Sequence, residues 1–330
     1  MNSTNLAGAA AAKTAATVSG ADGPALELRG VTKFFGEFKA VNDLSFTLER
    51  GAIRGFLGPN GAGKTTTIRM ILDIFRPTSG EIRVLGRSSA LEVRDQIGYL
   101  PEEKGLYKKM KAWAVVAYFA TLKGMPRKAA RTRARELLER FGLADFADKP
   151  IDALSKGMGQ KVQVLASIAH DPELVILDEP FSGLDPVNQQ VMEEIIRDMA
   201  ARGRAVLFST HVMEHAERLC ERILLLAKGR KVFDGEVSEA KALLPRRVRI
   251  DAESDIAAAP ELAGLADMEK LEGGPGLWEF RLHPGADPQA ILQICFARGI
   301  RLRGFNQHDP SLHEVFVKLV GSEAKEATLR

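Results

Sequence analysis

The chain lacks most of the features that would point its interpretation elsewhere. It holds only two cysteines, Cys220 and Cys295. Cys220 follows a predicted helix and Cys295 lies inside one. Neither has a Cys or His at metal-ligand spacing, so the expectation is two buried thiols in a reducing compartment. The net charge is only +3. The basic residues are spread along the chain rather than clustered, which argues against nucleic acid as a partner. No apolar run is long enough for a membrane span. The longest uncharged helical stretch, residues 112–122, has about half of the ~20 residues required. The start, residues 1–24, is rich in Ala, Gly, Ser and Thr with one Lys and one Asp. Without a basic beginning and a Leu/Val/Ile core it is not a secretory signal, and disorder is expected there. The expectation is a soluble protein whose membrane role would come through a partner.

Apolar content of 45% and charge of 27% are those of a globular protein. A length of 330 residues accommodates one large domain and one small one. Residues 26–28 and 44–48 alternate as half-buried antiparallel strands. Residues 53–57 form a short strand, 65–75 a helix stopped by Pro77, and 81–85 and 97–100 further strands. Between Lys109 and Gly142 the period becomes helical, with Trp113, Val116, Ala117 and Ala120 on one face and a second, highly charged helix over 127–141. These helices mark an all-α insertion at about 106–165. After a helix over 159–169, the uninterrupted apolar run 174–177 reads as a central parallel strand covered on both faces. With a helix over 186–201 and a strand over 205–209 it makes a βαβ unit.

Composition shifts near Leu244-Pro245. The order that follows is strand (248–251), short helix (260–266), strand (268–271), strand (277–282), helix (288–298), strand (300–305) and helix (312–320). Gly273-Gly274-Pro275-Gly276 looks like a hairpin turn. This pattern suggests a small ferredoxin-like α+β domain. The expected divisions are an extension over 1–24, an α/β domain over 25–244, an α+β domain over 245–323 and a tail over 324–330.

What the chain does contain is three motifs in order. Gly58-Pro59-Asn60-Gly61-Ala62-Gly63-Lys64-Thr65 fits G-x-x-x-x-G-K-[ST] without deviation, between a predicted strand and a predicted helix. Its glycines let backbone N–H groups wrap phosphates, and the helix start adds positive potential. Lys64 is the residue to reach the β/γ-phosphates, and the Thr65 hydroxyl is a ligand for Mg2+. Leu174-Val175-Ile176-Leu177-Asp178-Glu179 ends a buried strand with two carboxylates, where open α/β sheets place ligands. Asp178 fits a Mg2+ anchor acting through water, and Glu179 fits the base that orients and deprotonates the attacking water. Between these lies Leu154-Ser155-Lys156-Gly157-Met158. Ser155 is a natural N-cap, and a capped helix start is also an anion site. Capping does not require the glycine at 157, which would let backbone approach a ligand closely.

The three motifs in this order resemble the ATP-binding subunit of an ABC transporter, and the resemblance runs from Leu26 to about Val320. It implies the P-loop ABC-type ATPase fold: a parallel sheet core, an antiparallel β subdomain and an α-helical insertion, followed here by the small α+β domain. It also implies that Ser155 and Gly157 are offered to the γ-phosphate held by the opposite subunit. Thr66 would join residues 58–65 in the phosphate cradle. Phe35, before Gly36, would stack on adenine. Ser182-Gly183-Leu184-Asp185 would couple the two sites of a dimer, with Asp185 among the nucleotide-site residues, and His211 would contact the γ-phosphate as a catalytic group.

Lys156 and Met158 depart from the commonest family pattern. A larger departure follows the strand at 97–100, where the family has a Gln that binds Mg2+ and senses the membrane partner. Here Pro101 is followed by Glu102-Glu103, and Glu102 aligns with the Gln. A carboxylate still offers oxygen to Mg2+, but it adds negative charge beside the triphosphate. Glu at this point, and Ser311-Leu312-His313-Glu314-Val315-Phe316 near the end, are similar to a branch of bacterial export ATPases that includes sodium-extrusion and drug-resistance types.

The resemblance implies an ATP-hydrolysing subunit, with ATP and Mg2+ as cofactors, that energises a separate transmembrane permease. The implied cargo is an exported ion, drug or lipid-like molecule. Its partners would be that permease and a second copy of itself or a related ATPase, at the cytoplasmic face of the inner (plasma) membrane. The alternative is a soluble ABC-type ATPase with a non-transport role. DNA-repair members need a long coiled coil, and no such heptad run occurs. Translation-factor members carry two cassettes, and one phosphate loop is present. GTPases need Asn-Lys-x-Asp, which is absent, and kinases have no use for residues 154–158.

Overall fold

The computed structural model describes residues 23–103, 105–253, 256, 260–272, 274 and 276–328, the side chains of 260 and 322–328 aside. Residues 1–22 of the expected extension, Gly273 and Pro275 of the expected hairpin turn, and residues 329–330 lie outside these.

The chain begins with an antiparallel hairpin, β1 (Leu26–Phe35) and β2 (Phe38–Leu48), and β3 (Ile53–Leu57) follows. Helix α1 (Lys64–Ile71) ends well before Pro77. Asp73 takes a left-handed φ of 58°, and the Ile74 N–H turns back to the Arg69 carbonyl at 2.9 Å. The stop is therefore a backbone reversal just past the helix rather than the proline. Strand β4 (Ser79–Val84) pairs antiparallel with β1, completing a three-stranded sheet in the order β2-β1-β4. Strand β5 (Ile97–Leu100) then leads to α2 (Ala112–Leu122) and α3 (Arg127–Arg140). The buried face of α2 is Ala112, Val115, Val116, Ala117 and Ala120. Trp113, expected on that face, instead donates its indole N–H to Asp148 Oδ1 at 3.1 Å. Arg131 and Arg135 lie 4.8 and 5.3 Å from its ring centroid. The polar handle and the cations hold it at the margin.

Helix α4 (Lys156–Ile168) starts earlier than expected, because Ser155 is its N-cap and accepts from the Met158 N–H at 3.3 Å. Strand β6 (Leu174–Asp178), α5 (Pro186–Ala201) and β7 (Ala205–Thr210) form the expected βαβ unit. Four elements have no counterpart among the sequence expectations: α6 (Met213–Leu219), β8 (Arg222–Ala227), β9 (Arg230–Glu236) and α7 (Val237–Ala242). The main sheet runs β5-β6-β7-β3-β8-β9, parallel except for the β8/β9 hairpin. Its central strands are largely apolar because both faces are covered, polar side chains entering at Arg54 of β3 and at the C-terminal ends, Asp178 of β6 and Ser209-Thr210 of β7. Val175, Leu177, Val206 and Phe208 join the core beneath the helical insertion and α5, while Ile176, Leu207 and Phe56 join the core beneath the antiparallel sheet. That alternation is the period of two along each strand.

The remaining elements are β10 (Arg247–Ala252), a 3-10 turn (Pro260–Gly264), β11 (Ala266–Lys270), β12 (Leu277–Leu282), α8 (Pro288–Ala297), β13 (Leu302–His308) and α9 (Leu312–Thr328). The sheet order is β11-β12-β10-β13, with every neighbouring pair antiparallel. This is the split βαβ arrangement expected of a ferredoxin-like unit, with the first helix reduced to the 3-10 turn. Its own core includes Val248, Ile250, Phe280, Ile291 and Cys295. Leu312 and Val315 of α9 are instead buried with the main α/β core.

Candidate nucleotide site

Residues 58–63 bridge β3 and α1 at the C-terminal end of the parallel sheet. The loop is drawn tight against its neighbours. A Cβ at position 58 would lie 2.4 Å from the Leu226 carbonyl oxygen, and one at 63 would lie 2.7 Å from that of Ala40. Gly63 also takes a φ of 98°, so the two motif glycines are required sterically before any ligand is considered. Pro59, Asn60 and Gly61 are exposed, Ala62 is buried, and Thr65 and Thr66 are half-buried on the first turn of α1. Lys64 is buried and folds over the loop, its Nζ donating to the carbonyls of Gly58 at 2.7 Å and Pro59 at 3.3 Å.

The same ammonium stands 3.5 Å from Glu179 Oε1, and both side chains are largely buried. At an effective dielectric of ~20 that separation is worth about 5 kcal/mol of attraction, offset by the cost of removing both charges from water. Glu179 is held just beyond β6 in a left-handed conformation, φ 51°, a backbone state that costs about 1–3 kcal/mol and clusters at functional sites. Its N–H is bonded to the Ser209 carbonyl at 3.2 Å and to Ser209 Oγ at 3.1 Å. Its Oε2 meets His211 Nδ1 at 3.0 Å. His211 is half exposed at the far side of the carboxylate.

Asp178 is 1% exposed. Its Oδ1 accepts from Ser209 Oγ, and its Oδ2 is buried without a well-directed hydrogen bond among the described residues. Burial raises its pKa above the ordinary 3.8, the Ser209 and Thr65 hydroxyls oppose that rise, and the Glu179 charge adds to it. A buried carboxylate oxygen lacking a donor, beside a threonine hydroxyl, is the donor chemistry of a hard divalent cation. Among the described residues no group of three or more His, Cys, Asp or Glu could hold a metal by itself. The pair Asp178 and Thr65 therefore fits Mg2+ taking its other oxygens from phosphate and water.

Lys64, Thr65, Asp178, Glu179 and His211 thus converge. A second group gathers elsewhere. Ser155 is exposed at the start of α4. Gly157 is buried, and a Cβ there would lie 2.6 Å from Asn188 Nδ2. Close packing against α5 accounts for this glycine within one chain, so approach to a ligand is not needed to explain it. Asn188 is fixed by Asp185, which accepts its backbone N–H at 2.9 Å and its side-chain amide at 2.6 Å. Those hydrogen bonds, the backbone one first, lower the Asp185 pKa. Lys156 Nζ covers Gly183, lying 2.7 Å from the position a Cβ would take. The bond from Gln160 Nε2 to the Pro180 carbonyl, 2.7 Å, ties α4 to the segment after Glu179.

Phe35 ends β1 and is 45% exposed, as a stacking platform requires. Its centroid lies 5.7 Å from that of Phe75 and 5.2 Å from Lys33 Nζ. Glu102 is exposed, with no side-chain partner among the described residues. Burial, then Asp178, push the Tyr99 hydroxyl up to about 12, with Glu103 and Glu102 adding to the rise. Glu102 and Asp178 therefore act on the same hydroxyl. Ser209, Asn188, Gln160 and Tyr99 were not singled out by sequence. None of the four carries a local sequence signal; Ser209 reaches Asp178 through the β6/β7 register.

A family model described as ABC transporter matches residues 41–182. One described as ATP-binding protein DrrA1-3-like, C-terminal domain, matches residues 235–320. The chain is 40% identical over 298 residues to the uncharacterized ABC transporter ATP-binding protein YhaQ of Bacillus subtilis (strain 168), covering 90% of this chain and 99% of that protein. It is 33% identical over 310 residues to the Nod factor export ATP-binding protein I of Burkholderia lata, covering 91% and 98%. A solved ATP-binding subunit of an ABC transporter is similar with a TM-score of 0.61 at 31% identity, covering 66% of this chain and 92% of that one.

Proposed function

The chain belongs to the family of ABC transporter ATP-binding proteins, and on that premise we propose that it drives export through a separate membrane-spanning permease, as a pair of copies sharing two Mg2+–ATP sites. The chain is an ATPase of this family. The observation that carries the assignment of roles is the convergence of Lys64, Glu179 and His211, with Asp178 and Ser209 behind them. Backbone N–H groups of residues 58–65, with Thr66, cradle the phosphates, and Lys64 meets the β/γ-phosphates. Thr65 and Asp178 would hold Mg2+, which would supply neutralisation of phosphate charge, and Glu102 would offer a further oxygen. Glu179 takes the proton of the attacking water, a role worth about 10²–10⁴-fold in rate. His211, bonded to Glu179 Oε2, orients that carboxylate and faces the γ-phosphate. Phe35 stacks on the adenine.

Ser155, Gly157 and Asp185 serve the nucleotide of the opposite copy. Supporting this, Ser155 is exposed at the start of α4. Export is supported by the Nod factor export relative. A permease contact is supported by Tyr107 and Tyr118, both exposed with ring centroids 5.6 Å apart, shortly after Glu102. No helix of the described residues is long and apolar enough to cross a membrane. In this reading the subunit sits peripherally, at the cytoplasmic face, where its permease partner presents itself. The separate core of the C-terminal sheet supports a division into an ATPase domain over 25–244 and a small domain over 245–323.

Purification of the tagged chain from detergent-solubilised membranes tests this reading. The expected result is co-elution with a polytopic membrane protein that raises its ATPase rate. Recovery of all ATPase activity without a membrane protein would favour the alternative, a soluble ABC-type ATPase.

A further inference from the structure

The family resemblance leaves residues 311–316 without a task, and their geometry supplies one. Ser311 and Glu314 cap the start of α9 reciprocally. Ser311 Oγ accepts the Glu314 N–H at 3.2 Å, and Glu314 Oε2 accepts the Ser311 N–H at 2.9 Å. A further orphan donor of this helix start, the Leu312 N–H, is taken by a carboxylate distant in sequence, donating to Glu217 Oε1 at 2.6 Å. Glu217 lies on α6, and its Oε2 accepts from Lys241 Nζ of α7 at 2.5 Å. Leu312 and Val315 are buried in the same core as Ala216 and Leu219 of α6. The carboxylate also meets the positive end of the α9 dipole.

The other side of α6 faces the hydrolytic residues. Only Val212 separates His211 from the helix. The buried ring of His215 stacks on Phe181 at 4.0 Å and 17°, and Phe181 follows Glu179 after Pro180. Arg218 donates to His215 Nδ1 at 3.0 Å and pairs with Glu193 of α5 at 3.0 Å. Helix α6 is therefore clamped between α9 and the segment carrying Glu179.

We propose that Glu217 is a positioning residue for ATP hydrolysis: by capping α9 it seats α6, and with it His211 and Phe181, against Glu179. The C-terminal part of the chain thereby sets the turnover rate. This rests on reading Glu179 and His211 as the hydrolytic pair.

Steady-state ATPase kinetics of the full chain with Glu217→Ala, Glu217→Asp and Glu217→Gln test it. The Asp variant keeps the charge but withdraws the oxygen by one carbon–carbon bond, about 1.5 Å, and serves where the Ala variant does not fold. The Ala and Asp variants are expected to lose about tenfold in kcat, the scale of one lost charge-assisted hydrogen bond. Their KM for ATP is expected to stay within about twofold. The Gln variant, which can still accept from the Leu312 N–H but not also from Lys241, is expected to keep more of the wild-type rate than the Ala and Asp variants. Wild-type kcat in the Asp variant, equal losses in Asp and Gln, or a KM rise matching the kcat loss would each overturn the proposal. Wild-type turnover in Glu179→Gln would instead overturn the reading on which it rests.

Discussion

Ser209→Ala probes the site through a residue that touches the Asp178 carboxylate and the Glu179 backbone. Ser209 Oγ donates to Asp178 Oδ1 and accepts the Glu179 N–H at 3.1 Å. The serine is fully buried, so water does not replace the lost hydroxyl freely. A hydrogen bond to a charged group contributes about 1.5–3 kcal/mol, equivalent to about tenfold or more in an equilibrium that needs the ionised carboxylate. Burial already raises the Asp178 pKa, and the Ser209 hydroxyl is the largest opposing influence. Its removal therefore raises that pKa further. Protonated Asp178 cannot serve a cation, so Mg2+ binding weakens, and more so as pH falls toward the raised pKa. Measuring ATPase rate and fluorescent-ATP binding against free Mg2+, over a range of pH, reads the effect. Half-saturating Mg2+ is expected to rise about tenfold or more, with Mg2+-free nucleotide affinity unchanged and the acid limb of activity displaced to higher pH. An unchanged Mg2+ requirement, or a shift equal at every pH, would refute the link from Ser209 through Asp178 to the cation.

Glu179→Gln is expected to abolish turnover while ATP still binds, giving an ATP-bound dimer on size-exclusion chromatography; turnover within about threefold of wild type would remove Glu179 as the base. Asp178→Asn is expected to abolish turnover yet raise thermal stability at about pH 7. The folded-state pKa of Asp178 lies above the ordinary 3.8. The folded chain therefore binds that proton more tightly than the unfolded chain, and the destabilisation by the buried charge is lost as pH falls through the raised value. The melting advantage of the Asn variant should accordingly shrink on acidification, and an advantage independent of pH would contradict this sign. Glu102→Gln is expected to strengthen Mg2+-free ATP binding more than Mg2+–ATP binding, because it removes one unscreened charge facing the triphosphate. Titration calorimetry with Mg2+ and with chelator decides it, and equal shifts in the two conditions would take Glu102 out of the metal site.

The residues proposed to touch phosphate and water were brought together from short motifs whose spacing is dictated by local geometry. Residues 58–65 must turn tightly from strand to helix, and Asp178 and Glu179 must end a strand buried on both faces. Residues that act through partners distant in sequence were not legible. Ser209 meets Asp178 only through the β6/β7 register, Asn188 meets Gly157 only once α5 crosses α4, and Glu217 meets Leu312 across almost the whole C-terminal unit. Gly157 has a packing reason within one chain, its contact with Asn188, beside the approach to a ligand that the motif implies. The end of α1 was misplaced because a left-handed Asp73 stops the helix without a glycine. Elements α6 to α7 were missed because each helix is about two turns or less, and the intervening strands form a hairpin rather than repeating the βαβ pattern.

The central claim, that one ATP site is completed by two copies, is tested most directly by mixing two inactive variants. Lys64→Ala removes the phosphate cation. Ser155→Arg blocks the exposed start of α4, and is preferable to a change at Gly157, where an added side chain would collide with Asn188 in the same chain. A mixed pair holds one composite site with both Lys64 and Ser155 intact, so the mixture should hydrolyse ATP faster than either variant alone. No recovery, with mixed pairs shown to form, would contradict a site shared between copies.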